Sequence, residues 1–137
     1  MAIGYVVVKR NIHLGGNPGE KYVAVIQREK MVEFETIAEQ IVESSSMSKG
    51  DVMAVLEQLG TQMSFHLLRG ASVRLPLLGI FQPAIQATAQ EEYESVTADT
   101  IRKVRINFRP SPWMTKKLND SKKTLVKLEK KGYIPNP

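Results

Sequence analysis

Residues 73–83 read VRLPLLGIFQP, two short apolar runs that are separated by Pro76 and by a glycine at position 79. Aliphatic and aromatic residues on either side of turn-forming residues predict two strands joined by a tight connection. A glycine at such a point lets the backbone bend and approach a neighbouring strand closely. We therefore predict strands over residues 72–75 and 79–89, with an interruption at Pro76.

The preceding segment has the residue spacing of two helices. Apolar residues recur every three or four positions over 33–44 and again over 48–69. Ser48 followed by Asp51 is a capping-box-like start for the second run, and Gly70 stands where a glycine commonly ends a helix. The pattern predicts a short helix, a break in the serines at 44–46 and a longer helix, which together form a helical hairpin.

Further strands are predicted at both ends of the chain. Residues 3–10 and 21–29 are valine-rich and flank a loop of Gly, Asn and Pro, so we expect an additional β-hairpin. Residues 100–109 predict another strand, which Pro110 and Pro112 end before a helix that begins near Trp113. The predicted fold class is α+β: a helical hairpin, a three-stranded antiparallel sheet with a β-arm, and a terminal helix, preceded by the extra hairpin.

The charge is distributed unevenly along the 137 residues. Residues 1–99 contain eight basic and twelve acidic residues, or −4, whereas residues 100–137 contain eleven basic and two acidic residues, or +9. A basic C-terminal third predicts a surface that faces a polyanion, and a solvated lysine-rich tail is the alternative for residues 121–137. Their leucine spacing permits a helix ending at Gly132, and their composition equally permits disorder.

The strand IRKVRINFR, residues 101–109, carries the most informative charges. Because strand side chains alternate, Val104, Ile106 and Phe108 share one face and Lys103, Arg105, Asn107 and Arg109 share the other. Gln82 and Gln86 fall on the polar side of the preceding strand. Neighbouring cations repel one another unless an anion bridges them, so this face favours a phosphate backbone. The alternative is an exposed strand charged for solubility and edge protection.

The ordered set of elements resembles the bacterial HU/IHF histone-like DNA-binding family, in a divergent HU-related branch. TIAEQIVESSSMSKGDVMAVLEQLGTQMSFHLLRG is similar to the first two helices of the family, and VTADTIRKVRINFRP resembles the return from its β-arm. Within VRLPLLGIFQP, Gly79 and Phe81 match the last glycine and phenylalanine of the strand-turn-strand motif. The resemblance implies a β-hairpin extension over 1–30, an HU-like domain over 31–119 and a basic tail over 120–137.

The resemblance also implies a non-sequence-specific, nucleoid-associated architectural protein that binds double-stranded DNA as an intertwined homodimer. The expected DNA-contacting residues are Arg74, Gln82, Gln86, Arg102, Lys103, Arg105, Arg109, Lys116 and Lys117. The arm tip departs from the family, because QATAQEEYESVTAD is acidic and has no proline to insert between bases. An HU-like scaffold for protein–protein interaction, with weak or no DNA binding, is therefore the alternative.

Several other classes of protein are disfavoured by the sequence. There is no cysteine, the two histidines are His13 and His66, and no phosphate-binding P-loop pattern occurs, so we expect no enzyme, catalytic residue, metal site, cofactor or small-molecule substrate. No apolar run approaches the length of a membrane span, and the N-terminus lacks the basic region of a signal peptide. We expect a protein of the cytoplasm, located at the nucleoid.

Overall fold

The computed structural model describes residues 1–126 and has a mixed α+β fold. Two compact units divide the chain: Met1–Met31 with the segment from Lys116 onward, and Val32–Thr115. The helices and strands are β1 (Ala2–Ile12), β2 (Gly19–Ile26), α1 (Phe34–Glu43), α2 (Lys49–Leu68), β3 (Val73–Leu75), β4 (Gly79–Ala87), β5 (Ile101–Pro110), α3 (Pro112–Asn119) and β6 (Lys122–Leu125).

The first unit contains a three-stranded sheet in the order β2-β1-β6. β1 and β2 pair antiparallel, which confirms the predicted N-terminal hairpin. β6 pairs parallel to β1 from Ala2↔Lys122 to Tyr5↔Leu125. Neither alternative for residues 121–137, helix or disorder, describes Lys122–Leu125. The rest of that segment, residues 127–137, lies outside the described part of the chain.

The helical hairpin begins the second unit, as predicted. Ser48 caps α2: its hydroxyl accepts from the backbone N–H of Asp51 at 3.2 Å and donates to the Asp51 carboxylate at 2.6 Å. Gly70, at φ +82°, ends α2, and the next N–H, that of Ala71, bonds back to the carbonyl of His66. Ala38 on α1 and Val52 on α2 are fully buried.

An ion pair joins the two helices at their exposed edge. The Lys49 ammonium lies 2.8 Å from a carboxylate oxygen of Glu39. The hydrogen bond and the charge of Glu39 raise the pKa of Lys49 above its usual value. This pair is solvent-exposed, so it adds little to stability.

The sheet of the second unit has the strand order β3-β4-β5, and both pairings are antiparallel. α2 lies against β3 and β4. Phe81 of β4 and Phe108 of β5 are cross-strand partners, and their ring centroids are 4.8 Å apart. The two rings lie on the same face of the sheet as Val104 and Ile106.

Little of the chain is deeply buried. Among the described residues the fully buried hydrophobic side chains are those of Val6, Ala38 and Val52. Phe65 on α2 and Ile106 on β5 remain more than half exposed. A core this thin leaves much apolar surface of the second unit in contact with water.

Candidate nucleic-acid interface

One face of the β3-β4-β5 sheet is polar and cationic. The register sets Gln86 opposite Lys103, Ala84 opposite Arg105, Gln82 opposite Asn107, and Ile80 between Arg109 and Arg74. We call this set the cationic face; its polar members are Arg74, Gln82, Gln86, Lys103, Arg105, Asn107 and Arg109. The alternation predicted from sequence for β4 and β5 is confirmed.

Within residues 1–126, the four cations of this face have no carboxylate partner. Strands β3, β4 and β5 contain no acidic residue. Across residues 1–126 the ion pairs are Lys9–Glu20 and Lys49–Glu39, neither of which involves the cationic face. Arg74, Lys103, Arg105 and Arg109 are exposed to solvent. The surface therefore presents unpaired positive charge, with amide groups on the same face.

Arg102 occupies a different position from the other cations of β5. The pairing moves from Gln86↔Lys103 to Ala87↔Ile101, so Arg102 is the extra residue of a β-bulge and has no cross-strand partner. A bulge twists the strand locally and redirects its side chain. Alternation alone would have grouped Arg102 with Val104 on the apolar face.

Lys116 and Lys117 lie in the last turn of α3 and are exposed. The boundary between the two compact units falls within this helix, between Thr115 and Lys116. Lys116 and Lys117 therefore belong to the first unit and are not members of the cationic face. Lysines near a helix C-terminus also complement the negative end of the helix dipole.

Ser111 connects the start of α3 to the β3–β4 turn. Its hydroxyl accepts from the backbone N–H of Met114 at 3.1 Å and donates to the carbonyl of Leu77 at 2.7 Å, while its own N–H donates to the carbonyl of Leu78 at 2.9 Å. One residue therefore caps the helix and holds the turn beside β5. Sequence reasoning did not identify Ser111, although a serine directly before Pro112 is a recognisable helix start.

The arm tip joins β4 to β5 and is acidic and irregular. Its two short 3-10 turns, Tyr93–Ser95 and Ala98–Thr100, carry exposed side chains except for the half-buried Thr100, and Tyr93 is 90% exposed. Glu91, Glu92, Glu94 and Asp99 give it four negative charges. The sequence contains no Lys or Arg between Arg74 and Arg102, so positive charge is confined to the base and return strand of the arm.

The structure offers no metal-binding cluster or membrane-spanning helix in the part of the chain that it describes. No group of three or more His, Cys, Asp or Glu residues within residues 1–126 is arranged to hold a metal ion. None of the helices described is both long and apolar enough to cross a membrane.

Comparison with models of protein families places almost the whole described chain in a known family. The model of the HU-HIG family, described as an HU domain fused to wHTH, Ig, or Glycine-rich motif, matches residues 1–125. That range ends with the last residue of β6 and includes the N-terminal sheet, so this sheet is part of the family pattern. No curated protein matches the chain.

A solved structure shares the fold. The chain is similar to the crystal structure of a "Putative bacterial DNA binding protein" from Bacteroides vulgatus ATCC 8482, with 11% identity and a TM-score of 0.69. The match covers 91% of this chain and 48% of the other, so this chain spans about half the length of that protein. At this identity the likeness concerns the fold alone.

Proposed function

The chain belongs to the HU-HIG family, and from this membership we propose that it binds double-stranded DNA through the cationic face, without sequence specificity. The observation that carries the proposal is the row of Lys103, Arg105 and Arg109 on one exposed sheet face, with Arg74 beside it and no carboxylate among them. The Bacteroides vulgatus protein, which shares the fold, carries the name "Putative bacterial DNA binding protein". That description agrees with the proposal.

The mechanism is electrostatic positioning on the phosphate backbone. Arginine guanidinium groups match the geometry of phosphate oxygens, and each neutralised phosphate releases condensed counterions. Asn107 lies between Arg105 and Arg109 along β5, Gln82 is its cross-strand partner and Gln86 is the partner of Lys103, and these amides supply hydrogen bonds to sugar and phosphate oxygens. Affinity should therefore depend steeply on salt and weakly on base sequence.

The protein acts as a homodimer in this proposal. Val104, Ile106 and Phe108 are at least half exposed on the apolar face of β5, and Val55 and Phe65 of α2 are similarly exposed. Surface of this kind is typical of a chain that buries it against a second copy. A two-fold axis would also bring two cationic faces to one DNA duplex, which raises affinity through multivalency.

The proposed role is architectural and located at the nucleoid, in the cytoplasm. It requires no catalytic residue, metal or cofactor, because binding and shaping DNA uses charge and hydrogen bonds alone. The arm tip limits this role: its carboxylates repel phosphates, and it offers no proline for insertion between bases. We therefore propose DNA coating or bridging rather than a sharp kink.

The alternative is an HU-like scaffold for protein–protein interaction. The observation that favours it is the arm tip, where Tyr93 and Val96 are largely exposed among four carboxylates. Exposed tyrosines are frequent anchors of protein interfaces. The second unit as a whole, residues 32–115, carries seven basic and ten acidic residues, which gives it a formal charge of −3.

Fluorescence anisotropy with a random-sequence 30-base-pair duplex at several salt concentrations tests the proposal. We expect Arg105→Gln/Arg109→Gln to weaken binding to every duplex and to reduce the magnitude of the log–log salt slope by about 2. Lys30→Gln/Arg69→Gln removes the same charge at two residues that are not members of the cationic face and should have a much smaller effect. Absence of duplex binding by the wild-type chain at low salt would exclude DNA binding and favour the scaffold.

A further inference from the structure

Folding redistributes the charge of this chain between its two units. The described residues of the first unit, 1–31 and 116–126, contain nine basic and three acidic residues, a formal charge of +6. The basic residues of α3 and β6 thus join the N-terminal hairpin rather than the unit that carries the cationic face. The most positive part of the described chain is the β2-β1-β6 sheet with its flanking segments.

One face of this sheet is apolar, aromatic and open to solvent. Cross-strand pairing sets Tyr5 between Ile26 and Leu125, places Val7 opposite Ala24, and places Lys9 opposite Tyr22. We call Tyr5, Val7, Tyr22, Ile26 and Leu125 the tyrosine face. The exposed fractions are 73% for Tyr22, 58% for Ile26, 54% for Leu125 and 45% for Val7, whereas Tyr5 is half-buried. The opposite face holds Val6, which is buried.

Cations lie at two ends of the tyrosine face. Lys123 is the register partner of Ile3, beside Tyr5, and Lys9 is the partner of Tyr22. Lys9 forms an ion pair with Glu20 at 2.6 Å, in which both side chains are more than half exposed, and Lys123 donates to the backbone carbonyl of Asn119. Exposed contacts of this kind are weak enough to exchange for a phosphate.

We propose that the tyrosine face is a second binding site, which takes a single strand of nucleic acid. Aromatic rings on an exposed sheet stack with unpaired bases, while neighbouring cations follow the phosphate backbone. Tyr22 is largely exposed and offers the main stacking position, whereas Tyr5, four residues away along the sheet at about 13 Å, is half-buried and offers a partial second one.

The chemistry favours a single strand over other occupants. A duplex keeps its bases stacked on each other and offers no free base surface to the tyrosines. A purely apolar protein partner would not require the surplus of six positive charges, which complements the regular charge of a nucleic-acid strand. The site lies wholly within the first unit and does not depend on duplex binding by the cationic face.

Anisotropy of a fluorescein-labelled 15-nucleotide oligothymidine with the full chain tests this inference. We expect salt-sensitive binding that weakens roughly tenfold in Tyr22→Ala, because one stacking contact is lost, and that is retained in Tyr22→Phe. Tyr93→Ala removes an even more exposed tyrosine, on the arm tip, and serves as the matched control that should bind as wild type. Lys123→Gln should remove about one phosphate contact and so reduce the magnitude of the log–log salt slope.

The same variants separate this site from the cationic face. Tyr22→Ala should leave the affinity for a 15-base-pair duplex unchanged, and Arg105→Gln/Arg109→Gln should weaken duplex binding while oligothymidine binding stays within about twofold. Any of three results overturns the inference. These are no oligothymidine binding at low salt, equal binding by Tyr22→Ala and wild type, or equal loss of both ligands in the arginine variant.

Discussion

Backbone geometry at single residues explains the unusual sequence of the β3–β4 connection. Leu75 and Leu78 close a turn through a backbone hydrogen bond of 3.2 Å, and Leu77, the third residue of that turn, has φ +67°. Pro76 followed by a residue of positive φ is the arrangement of a type II turn, which ordinarily has glycine where this chain has Leu77. The sequence predicted the turn but could not show that a leucine adopts the left-handed conformation.

Substitution of Leu77 by glycine should stabilise the protein. A non-glycine residue in the left-handed region costs roughly 1–2 kcal/mol, part of which glycine loses again to the greater freedom of the unfolded chain. We expect a net rise in the free energy of unfolding of about 0.5–1 kcal/mol, measured by urea denaturation. Leu78→Gly is the matched control: Leu78 lacks a positive φ, so its substitution should lower stability.

Gly79 has the opposite role, since this position accepts no side chain. Its φ is +150°, and an added Cβ would lie 2.1 Å from the backbone oxygen of Arg109 on β5. The prediction from sequence that this glycine permits a close backbone approach is therefore confirmed. Close approach here brings β4 against the strand that bears the cationic face.

Gly79→Ala should destabilise the protein by roughly 2–4 kcal/mol, because the backbone of β5 would have to move away. Gly60→Ala is the matched control, because Gly60 lies inside α2 and an added Cβ there would have no atom within 4 Å. That substitution should instead stabilise the helix by about 0.5–1 kcal/mol. Thermal unfolding of both variants measures the difference, and equal effects would contradict the proposed clash.

Among the elements, helices and antiparallel strands were predictable because their signals are local. Ser48 and Gly70 mark the two ends of α2, and strict alternation identifies the faces of β5. β6 was missed, since the four residues KKTL have no apolar alternation and their partner strand begins at Ala2. β1 and β6 lie near opposite ends of the described chain, so their parallel pairing depends on tertiary packing. A local sequence pattern does not reveal such a pairing.

The start of α3 is capped by the side chain of Ser111. Ser111→Ala would remove the helix cap and the hydrogen bond to Leu77 together, so we expect a loss of roughly 1–2 kcal/mol in the free energy of unfolding. Ser111→Thr keeps the hydroxyl and should retain most of that stability. Ser64→Ala, which removes a hydroxyl bonded within α2, is the control and should change little. Wild-type stability of Ser111→Ala would show that the cap is dispensable.

At the scale of the whole molecule, the sequence predicted where charge lies along the chain but not where folding places it. The division into −4 before residue 100 and +9 after it indicated a basic C-terminal region. Because β6 joins the sheet of β1, part of that charge lies instead with the N-terminal hairpin. The DNA-binding proposal therefore depends on four cations of one sheet face rather than on net charge.

The exposed apolar surface of the second unit leads to a prediction about assembly. Light scattering of the wild-type chain should give twice the chain mass of 15.4 kDa. Ile106→Asp would place an unpaired carboxylate in the proposed dimer interface and should weaken association by at least about a hundredfold, yielding a monomer at micromolar concentration. Val7→Asp makes the same change on the tyrosine face of the first unit, where Val7 is also exposed. If the dimer forms through the apolar face of β5 and α2, the Val7→Asp variant should remain a dimer. A monomeric wild-type chain, or an Ile106→Asp variant that still forms the dimer, would contradict this mode of assembly.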